Sequence, residues 1–348
     1  MTNAILAQSA KWAFSARHIP RAQACGINPD VAQAKAGQLI LGRVISVGQH
    51  GRIQLASGRP STLYPGDVIA MPCGARYAPD QFEGLAEIDP EGCDMLAGGG
   101  CLGRMLGRHD RMRQPTRVLP LGLLTDGSGR VLDTNDFGLP KAEAASTIPL
   151  LIVVGTAMNS GKTTATVALT HGLTLAGWRV AALKGTGTGS FGDVNDYADA
   201  GAAFVGDFTD AGSVTTYLEP LPKVKEGIET LLAASERAGA DIAVMELADG
   251  IFQKETAALL ADAEFRERIG GVVFACGDAV AAAGGVVGLA GHGLRPLRLT
   301  GLLSCSPMAC VEAEATTGIA VVTREGLMDP AVAAGLMAEI RVEAAVAA

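Results

Sequence analysis

The stretch "VVGTAMNSGKTTATVAL", residues 153–169, most constrains what this chain can fold into. An apolar run ends at Gly155, small and polar residues follow, and Gly-Lys-Thr-Thr at 161–164 opens a segment of helical composition. A glycine-containing turn from a strand into a helix directs unpaired N–H groups and the positive end of the helix dipole at one point, which suits a phosphate. The pattern predicts a phosphate-binding loop in which Lys162 bridges phosphate oxygens and the Thr163 hydroxyl binds Mg²⁺.

The spacing within the loop bears on which nucleotide it would hold. Five residues, rather than the usual four, separate Gly155 from Gly161. The guanine-reading sequence Asn-Lys-x-Asp does not occur in the chain, which favours ATP over GTP. The alternative is a plain strand–turn–helix with glycines for tight packing. The predicted nucleotide contacts in the loop are Gly155, Thr156, Asn159, Ser160, Gly161, Lys162, Thr163 and Thr164.

Apolar runs alternate with helical stretches throughout the second half of the chain. Continuous apolar strands that alternate with helices indicate a parallel sheet covered on both faces. Helices are predicted over 223–238, 254–268 and 329–346. The predicted strands are "IPLLIVVG", "WRVAALKG", "DIAVMEL", "GGVVFACG", "LRLTGLLS" and "GIAVVT".

The first part of the chain has a different pattern. Residues 38–72 and 117–137 read as short β segments with alternating apolar residues, broken at short intervals by Gly, Ser-Gly and Pro-Gly-Asp turns. This predicts a small, mostly β domain, barrel- or sandwich-like, over residues 1–140, which would select an acceptor or a partner. A linker over 141–148 and a phosphate-loop domain over 149–348 follow.

Charge and composition limit the classes of function. Residues 1–148 hold 15 Lys and Arg against 13 Asp and Glu, and the remaining residues hold 13 against 23. A nucleic-acid binder needs a concentrated basic face, so this balance speaks against one. The N-terminus lacks the apolar run of a signal peptide, and the run at 279–291 is too short to span a bilayer. The seven cysteines are not spaced as in a small disulfide-bonded secreted protein. Together these features predict a cytoplasmic protein without membrane contact.

Charged residues at predicted strand ends are the candidates for chemistry. Lys184 and Glu246 each end an apolar strand, at the edge where open α/β sheets place ligands. A lysine there can neutralise a phosphoryl group in transfer, and a carboxylate there can orient Mg²⁺ or activate a nucleophile. Asp249 is the alternative carboxylate, and Lys184 as an ordinary exposed lysine is the alternative to a catalytic role.

Three aspartates follow the second strand at intervals of three residues. If the segment is helical, Asp193, Asp196 and Asp199 lie near one face, and one of them could bind Mg²⁺ directly or through water. Asp193 and Asp196 are the better candidates, and Asp193 is the predicted ligand. Helix capping and a solvated acidic face are the alternative. Gln253 and Glu255 begin a predicted helix and point towards the site or outward.

The motif "GTAMNSGKTT" resembles the loop of dethiobiotin synthetase, which also reads Gly-Thr, four residues, then Gly-Lys-Thr. The next strand of that family ends in lysine, as at Lys184, and a later strand ends in Val-Glu-Gly, near which Glu246 falls. Leu247 replaces that glycine, and the segment after Lys184 does not match the family's substrate loop. Molybdenum-cofactor proteins of the MobB type and the DUF1611 family share much of the pattern over roughly 150–325.

The resemblance implies an enzyme that uses Mg²⁺ and ATP to transfer the γ-phosphoryl group to a small acceptor, a carboxylate or carbamate, for ligation. Lys162, Lys184 and Glu246 would be catalytic, and Thr163, Asp193 and Glu246 would hold the metal. Ser304 and Ser306 would lie beside the nucleotide base, unless they only form a turn that starts a helix. A homodimer is also implied. The alternatives are a regulatory or metallocofactor-insertion NTPase, or a DUF1611-like acyltransferase that binds coenzyme A.

The front domain offers weaker candidates. Cys73, Cys93, Cys101 and His109 fall within 37 residues, but no Cys-x-x-Cys pair is present, so buried ordinary cysteines are favoured over zinc. Residues 103–117 contain five arginines that could clamp an anion or form a solvated surface. Residues 73–84 form a predicted loop that could close over the nucleotide.

Overall fold

The computed structural model describes residues 3–346, which divide into two compact units. The first unit contains the chain up to Pro140, together with Gly187–Phe191 and Phe208–Glu219. The second contains Lys141–Thr186, Gly192–Asp207 and the chain from Pro220 onward. The units are therefore discontinuous in sequence, whereas the sequence divides them linearly at 141–148; that linear division stays a prediction.

The first unit is mostly β-structure, as predicted. Residues 38–72 and 117–137 contain strands of its main sheet. The unit begins with the helix α1 (Asn3–Ser9), and short 3₁₀ turns lie at Phe14–Ala16, Arg21–Gln23, Val31–Gln33 and Thr134–Asp136. Its strands are β1 (Lys11–Trp12), β2 (Gly26–Asn28), β3 (Leu39–Ser46), β4 (Arg52–Gln54), β5 (Pro60–Thr62), β6 (Val68–Pro72), β7 (Arg76–Tyr77), β8 (Phe82–Leu85), β9 (Cys93–Met95), β10 (Leu102–Arg108) and β11 (Thr116–Thr125).

The main sheet of this unit is buried on both faces. Its strand order is β1-β6-β3-β11-β9-β10-β8-β7, with β2 on β11, while β4 and β5 pair separately. Neighbouring side chains of a strand point to opposite faces. Accordingly Ile40 packs in one apolar cluster with Met71 and Val118, whereas Leu39 and Leu41 pack in another. Central strands of this sheet therefore need apolar residues at consecutive positions.

The second unit is an α/β fold with a fully parallel sheet. The strand order is β14-β13-β15-β12-β16-β17. Its strands are β12 (Leu150–Gly155), β13 (Val180–Lys184), β14 (Phe204–Asp207), β15 (Ile242–Glu246), β16 (Ile269–Ala275) and β17 (Arg298–Thr300). Its helices are α2 (Lys162–Leu175), α3 (Phe191–Asp199, whose first residue belongs to the first unit), α4 (Leu221–Arg237), α5 (Lys254–Ala261), α6 (Ala263–Arg268), α7 (Ala279–Ala290), α8 (Pro307–Thr317), α9 (Arg324–Met328) and α10 (Pro330–Val346).

Helices cover both faces of the parallel sheet, which confirms the predicted architecture. On one face, Leu151 and Val153 of β12 pack with apolar residues of α2 and α10. On the other face, Phe274 of β16 lies against Gly285 of α7, where an added Cβ would come within 2.0 Å of its ring. A parallel sheet covered in this way needs strands that are apolar at every position, and β12 is buried along its whole length.

One sequence prediction about this unit is wrong and another is refined. "GIAVVT" is not the sixth strand: Val321 makes a single parallel bridge to Leu299, and Thr323 already caps α9. The sixth strand is β14, which the sequence does not indicate clearly because its apolar run is short and has glycines on both sides. The predicted helical stretch 254–268 is helical but is divided into two helices, because Asp262 ends α5 and its side chain caps α6 by accepting from the Phe265 amide. Within residues 3–346, no helix combines the length and apolarity that crossing a membrane requires.

Candidate functional site

The loop between β12 and α2 has the backbone that its glycines predict. Gly161 caps α2 with φ of 102°, in the left-handed region, and Asn159 has φ of 63°. At Gly155 an added Cβ would lie 2.4 Å from Ser160 Oγ. A β-carbon would clash at Gly155 and would be strained at the φ of Gly161, so this loop requires glycine at both positions.

A second turn lies directly against the loop. Gly301, at the end of β17, has φ of 92°, and a Cβ on it would come within 2.3 Å of the Ser160 carbonyl oxygen. The Leu302 amide donates to that carbonyl over 3.2 Å. The segment that carries Ser304 and Ser306 therefore begins at the loop. The Ser304 hydroxyl donates to the Gly301 carbonyl and Ser306 caps α8, so both hydroxyls have local partners.

Ser160 is buried in the loop, with 5% of its surface exposed. Among the described residues its hydroxyl has no hydrogen-bond partner. A buried hydroxyl without a partner costs free energy on the order of 1–3 kcal/mol. A phosphate oxygen at the helix N-terminus would supply the missing acceptor, so this atom fits a nucleotide.

Lys162 lies within the loop rather than in solvent. Its Nζ donates to the Ala157 carbonyl over 2.8 Å, and only 5% of the residue is exposed. Burial lowers the pKa of Lys162 below its ordinary value, although Glu246 and Asp249 oppose the shift. A bound polyphosphate would stabilise this buried ammonium, because the negative charges of the phosphates would offset its positive charge.

Charged side chains meet where three neighbouring strands end. The register places Lys184 of β13 beside Glu246 of β15 on one side and Asp207 of β14 on the other. Glu246 is 3% exposed, Asp207 is 1% exposed, and Lys184 Nζ lies 3.6 Å from Glu246 Oε1. Burial alone would lower the pKa of Lys184, but Glu246 and Asp193 outweigh it and raise that pKa. Lys184 is therefore charged, and it is not an exposed strand-end lysine.

Glu246 is also tied to the start of α2. Its carboxylate accepts a hydrogen bond from the Tyr197 hydroxyl over 2.7 Å, and the Thr163 hydroxyl at the start of α2 helps to lower its pKa. Burial alone would raise the pKa of Glu246, but the positive charges of Lys184 and Lys162 hold it below its ordinary value. The Thr163 hydroxyl and the ionised Glu246 carboxylate are hard oxygen ligands, the kind that Mg²⁺ prefers.

The three predicted aspartates do not share one environment. Asp193 forms an ion pair with Lys184, whereas Asp196 and Asp199 are exposed. The residue of α3 that shares the buried face with Asp193 is Tyr197, one helical turn later. The expectation that the three aspartates lie near one face stays a prediction; burial first, and then the charges of Asp193 and Asp199, raise the pKa of Asp196. Asp193 as a metal ligand stays a prediction.

The remaining candidates lie around the loop in less defined roles. The Thr156 amide donates to the Ala275 carbonyl, while Thr164 and Asn159 are exposed. Asp249 has φ of 62°, and the Ile251 amide that follows it donates to the Gly155 carbonyl over 3.0 Å. Gln253 caps α5 through its side chain, and Glu255 is buried next to it.

Sequence reasoning did not identify Asp207 and Tyr197. Asp207 ends the strand that its glycine neighbours obscure. Tyr197 is fully buried on a short helix whose other side is acidic, so its sequence surroundings indicate solvent. The sequence signal that could have identified Tyr197 is its position four residues after Asp193, because residues four apart lie on the same face of a helix.

In the first unit, Cys73, Cys93 and Cys101 are buried, and His109 is half-buried. Burial raises the pKa of the Cys93 and Cys101 thiols to about 12. No group of three metal-ligating side chains lies together in the part of the chain that the structure describes.

Arginines of the basic stretch 103–117 are engaged locally. Arg104 pairs with Glu87 over 2.6 Å and Arg117 pairs with Asp94 over 2.7 Å. The surface that they form is therefore less positive than their number indicates.

Comparison with known proteins gives limited information. No protein-family model matches the chain, and no curated protein matches it. Among solved structures, the signal recognition particle 54 kDa protein from Aeropyrum pernix K1, in complex with GDP, is 18% identical, covers 57% of this chain and 50% of its own, and has a TM-score of 0.35. The signal recognition particle receptor FtsY from Elizabethkingia anophelis, in complex with GDP, is 13% identical over 55% of each chain, with a TM-score of 0.33.

This chain thus spans about half the length of each of these proteins. Likeness at this level adds nothing to what the strand order and the loop show by themselves.

Proposed function

We propose that the second unit binds a nucleoside triphosphate with Mg²⁺ and transfers its terminal phosphoryl group. The observation that carries this proposal is a loop with a buried lysine, Lys162, and an unpartnered buried hydroxyl, Ser160, next to the buried Glu246 carboxylate that ends the neighbouring strand β15. These groups come from two sequence-distant elements. A strand–turn–helix that glycines merely pack tightly has no need of them.

Each residue would act by position and charge. The N–H groups at the start of α2 and the Ser160 hydroxyl would bind phosphate oxygens. Lys162 would leave the Ala157 carbonyl and bridge two phosphates, while Thr163 and Glu246 hold Mg²⁺. The bound Mg²⁺ would supply charge neutralisation during transfer.

Lys184 would act beside the leaving or accepting oxygen. The negative charges of Asp193 and Glu246 already offset the positive charge of Lys184, so Lys184 adds little net positive charge to the site while both pairs are formed. For Lys184 to contact a phosphoryl group, its ion pair with Asp193 must open. We propose that Asp193 thereby keeps Lys184 in place until an acceptor binds.

We further propose ATP as the nucleotide, because the guanine-reading sequence Asn-Lys-x-Asp does not occur in the chain. We propose a small carboxylate or carbamate as the acceptor, because the loop resembles that of dethiobiotin synthetase. The acceptor would bind near Lys184.

The test is a binding screen with ATP, GTP and coenzyme A, each with Mg²⁺, read as thermal shift. We expect ATP to raise the melting temperature of the unsubstituted chain, and Lys162→Ala to abolish this rise. The variant should stay folded without nucleotide, because removing a buried ammonium and removing a positive charge near Glu246 change stability in opposite directions. Lys254→Ala is the matched control, since Lys254 is an exposed lysine near the start of another helix of the same unit.

Other outcomes separate the alternatives. ATP hydrolysis that rises with a small carboxylate supports transfer to an acceptor. Hydrolysis that only a protein partner stimulates supports a regulatory NTPase. Binding of acetyl-coenzyme A without ATP turnover supports an acyltransferase. An equal ATP shift in the unsubstituted chain and in Lys162→Ala rejects the nucleotide site.

A further inference from the structure

Tyr197 contacts the proposed metal-binding carboxylate without belonging to the nucleotide loop. The residue is fully buried, and its hydroxyl donates to Glu246 Oε2 over 2.7 Å. It lies one helical turn after Asp193, which pairs with Lys184. The short helix α3 therefore contacts both charged residues that end β13 and β15.

The contacts of Glu246 divide between its two oxygens. Tyr197 donates to Oε2, and Lys184 Nζ lies 3.6 Å from Oε1. The terminal torsion of a glutamate is broad, so nothing in the side chain itself selects one orientation of the carboxylate. The Tyr197 hydroxyl at one oxygen and Lys184 Nζ near the other together favour one orientation of the carboxylate.

The phenol donates from a fixed position. Tyr197 is fully buried, so its ring has little freedom to move away from Glu246. A hydrogen bond from a hydroxyl to a carboxylate is roughly twice as strong as one between neutral groups.

We propose that Tyr197 is a positioning residue that orients the Glu246 carboxylate for Mg²⁺ beside Thr163. This role rests on the proposed function. Partners that orient a metal ligand typically change metal affinity 10- to 100-fold when removed. Tyr197 lies on α3, outside the nucleotide loop, and its hydroxyl bonds to Glu246, so removal of that hydroxyl should change metal affinity and leave metal-free nucleotide affinity unaltered.

The test is Tyr197→Phe, which keeps the buried ring and removes only the hydroxyl. A fluorescent analogue of ATP is bound at increasing Mg²⁺, and the Mg²⁺ concentration at half-maximal binding is measured. We expect this concentration to rise about tenfold in the variant, and affinity in EDTA to stay the same. Ser235→Ala is the matched control: its buried hydroxyl donates to the Leu231 carbonyl over 2.8 Å within α4, and its loss should not move the Mg²⁺ midpoint.

A second measurement keeps the test valid if Tyr197→Phe does not fold. The chain has four tyrosines, so a variant with Tyr64, Tyr77 and Tyr217 replaced by Phe carries Tyr197 alone. Labelled with 3-fluorotyrosine and bound to the ATP analogue, it should show a shift of its ¹⁹F resonance when Mg²⁺ is added.

The outcomes distinguish the two proposals. If the unsubstituted chain shows no Mg²⁺-dependent nucleotide binding, both the proposed function and the role of Tyr197 are overturned. If that binding is present but Tyr197→Phe has an unchanged Mg²⁺ midpoint, or the ¹⁹F resonance does not move, only the role of Tyr197 is overturned.

Discussion

The two units bury charge in different ways. In the first unit, the buried Arg76 donates to the Gln81 side-chain oxygen and the Leu96 carbonyl, and the buried Asp94 pairs with an Arg117 side chain that is 46% exposed. In the second unit, the largely buried Lys184 lies against the buried Glu246, with 3.6 Å between Nζ and Oε1.

The difference follows from strand direction. Parallel strands end at the same edge, so their last residues meet, and Asp207, Lys184 and Glu246 become neighbours by register alone. In the largely antiparallel sheet of the first unit, successive strand ends lie at opposite edges, and its charges are dispersed. A parallel edge can thus concentrate charge for a ligand, at a cost in stability that the following changes should measure.

Glu246→Ala should have the largest effect on stability. It leaves the largely buried Lys184 without one of the two carboxylates with which it pairs, and breaking a buried ion pair costs about 3–5 kcal/mol. The measurement is native-state hydrogen exchange of amides in β13 and β15. Glu246→Gln, which keeps shape and hydrogen bonding, should lose less. A loss below 1 kcal/mol in Glu246→Ala would remove the contrast between the units.

His50 in the first unit should make stability depend on pH. Burial, aided by the charge of Arg76, lowers the pKa of His50 from 6.5 to about 4. The unfolded chain therefore binds more protons between these values, so stability is complete above pH 6.5 and is lost as pH falls towards 4. The loss should reach roughly 2–3 kcal/mol.

The chain offers a specific probe for this loss. Trp12 lies in the first unit and Trp178 in the second, so Trp178→Phe leaves Trp12 as the reporter of urea unfolding. The slope with pH should shrink in His50→Gln. An equal slope in both chains would show that another group titrates.

Glu87→Ala should have the smallest effect. Glu87 and Arg104 are each about half exposed, and exposed pairs contribute about 0–1 kcal/mol. Urea unfolding followed at Trp12 should show a small loss that disappears in high salt, because exposed charges are screened. A loss comparable to that of Glu246→Ala would mean that both sheets depend equally on charge.

The loop and the strands around it could be predicted because their signals are local. Gly155, Gly161 and Lys162 lie within eight residues, and β12 is apolar throughout its length, so neither depends on distant parts of the chain. The sixth strand could not be predicted in the same way. Residues 204–207 and 318–323 are both short and apolar, and only packing at the two sheet edges decided between them.

The sequence by itself determined a strand–turn–helix with the residues of a phosphate loop, since backbone conformation over so few residues follows from local glycine and helix-start chemistry. It also named Lys184 and Glu246 as strand ends. The tertiary structure decided that these two are neighbours, that Asp207 joins them, and that Tyr197 rather than Asp196 faces them. Strand order and register set those contacts, and both depend on packing between segments far apart in the chain.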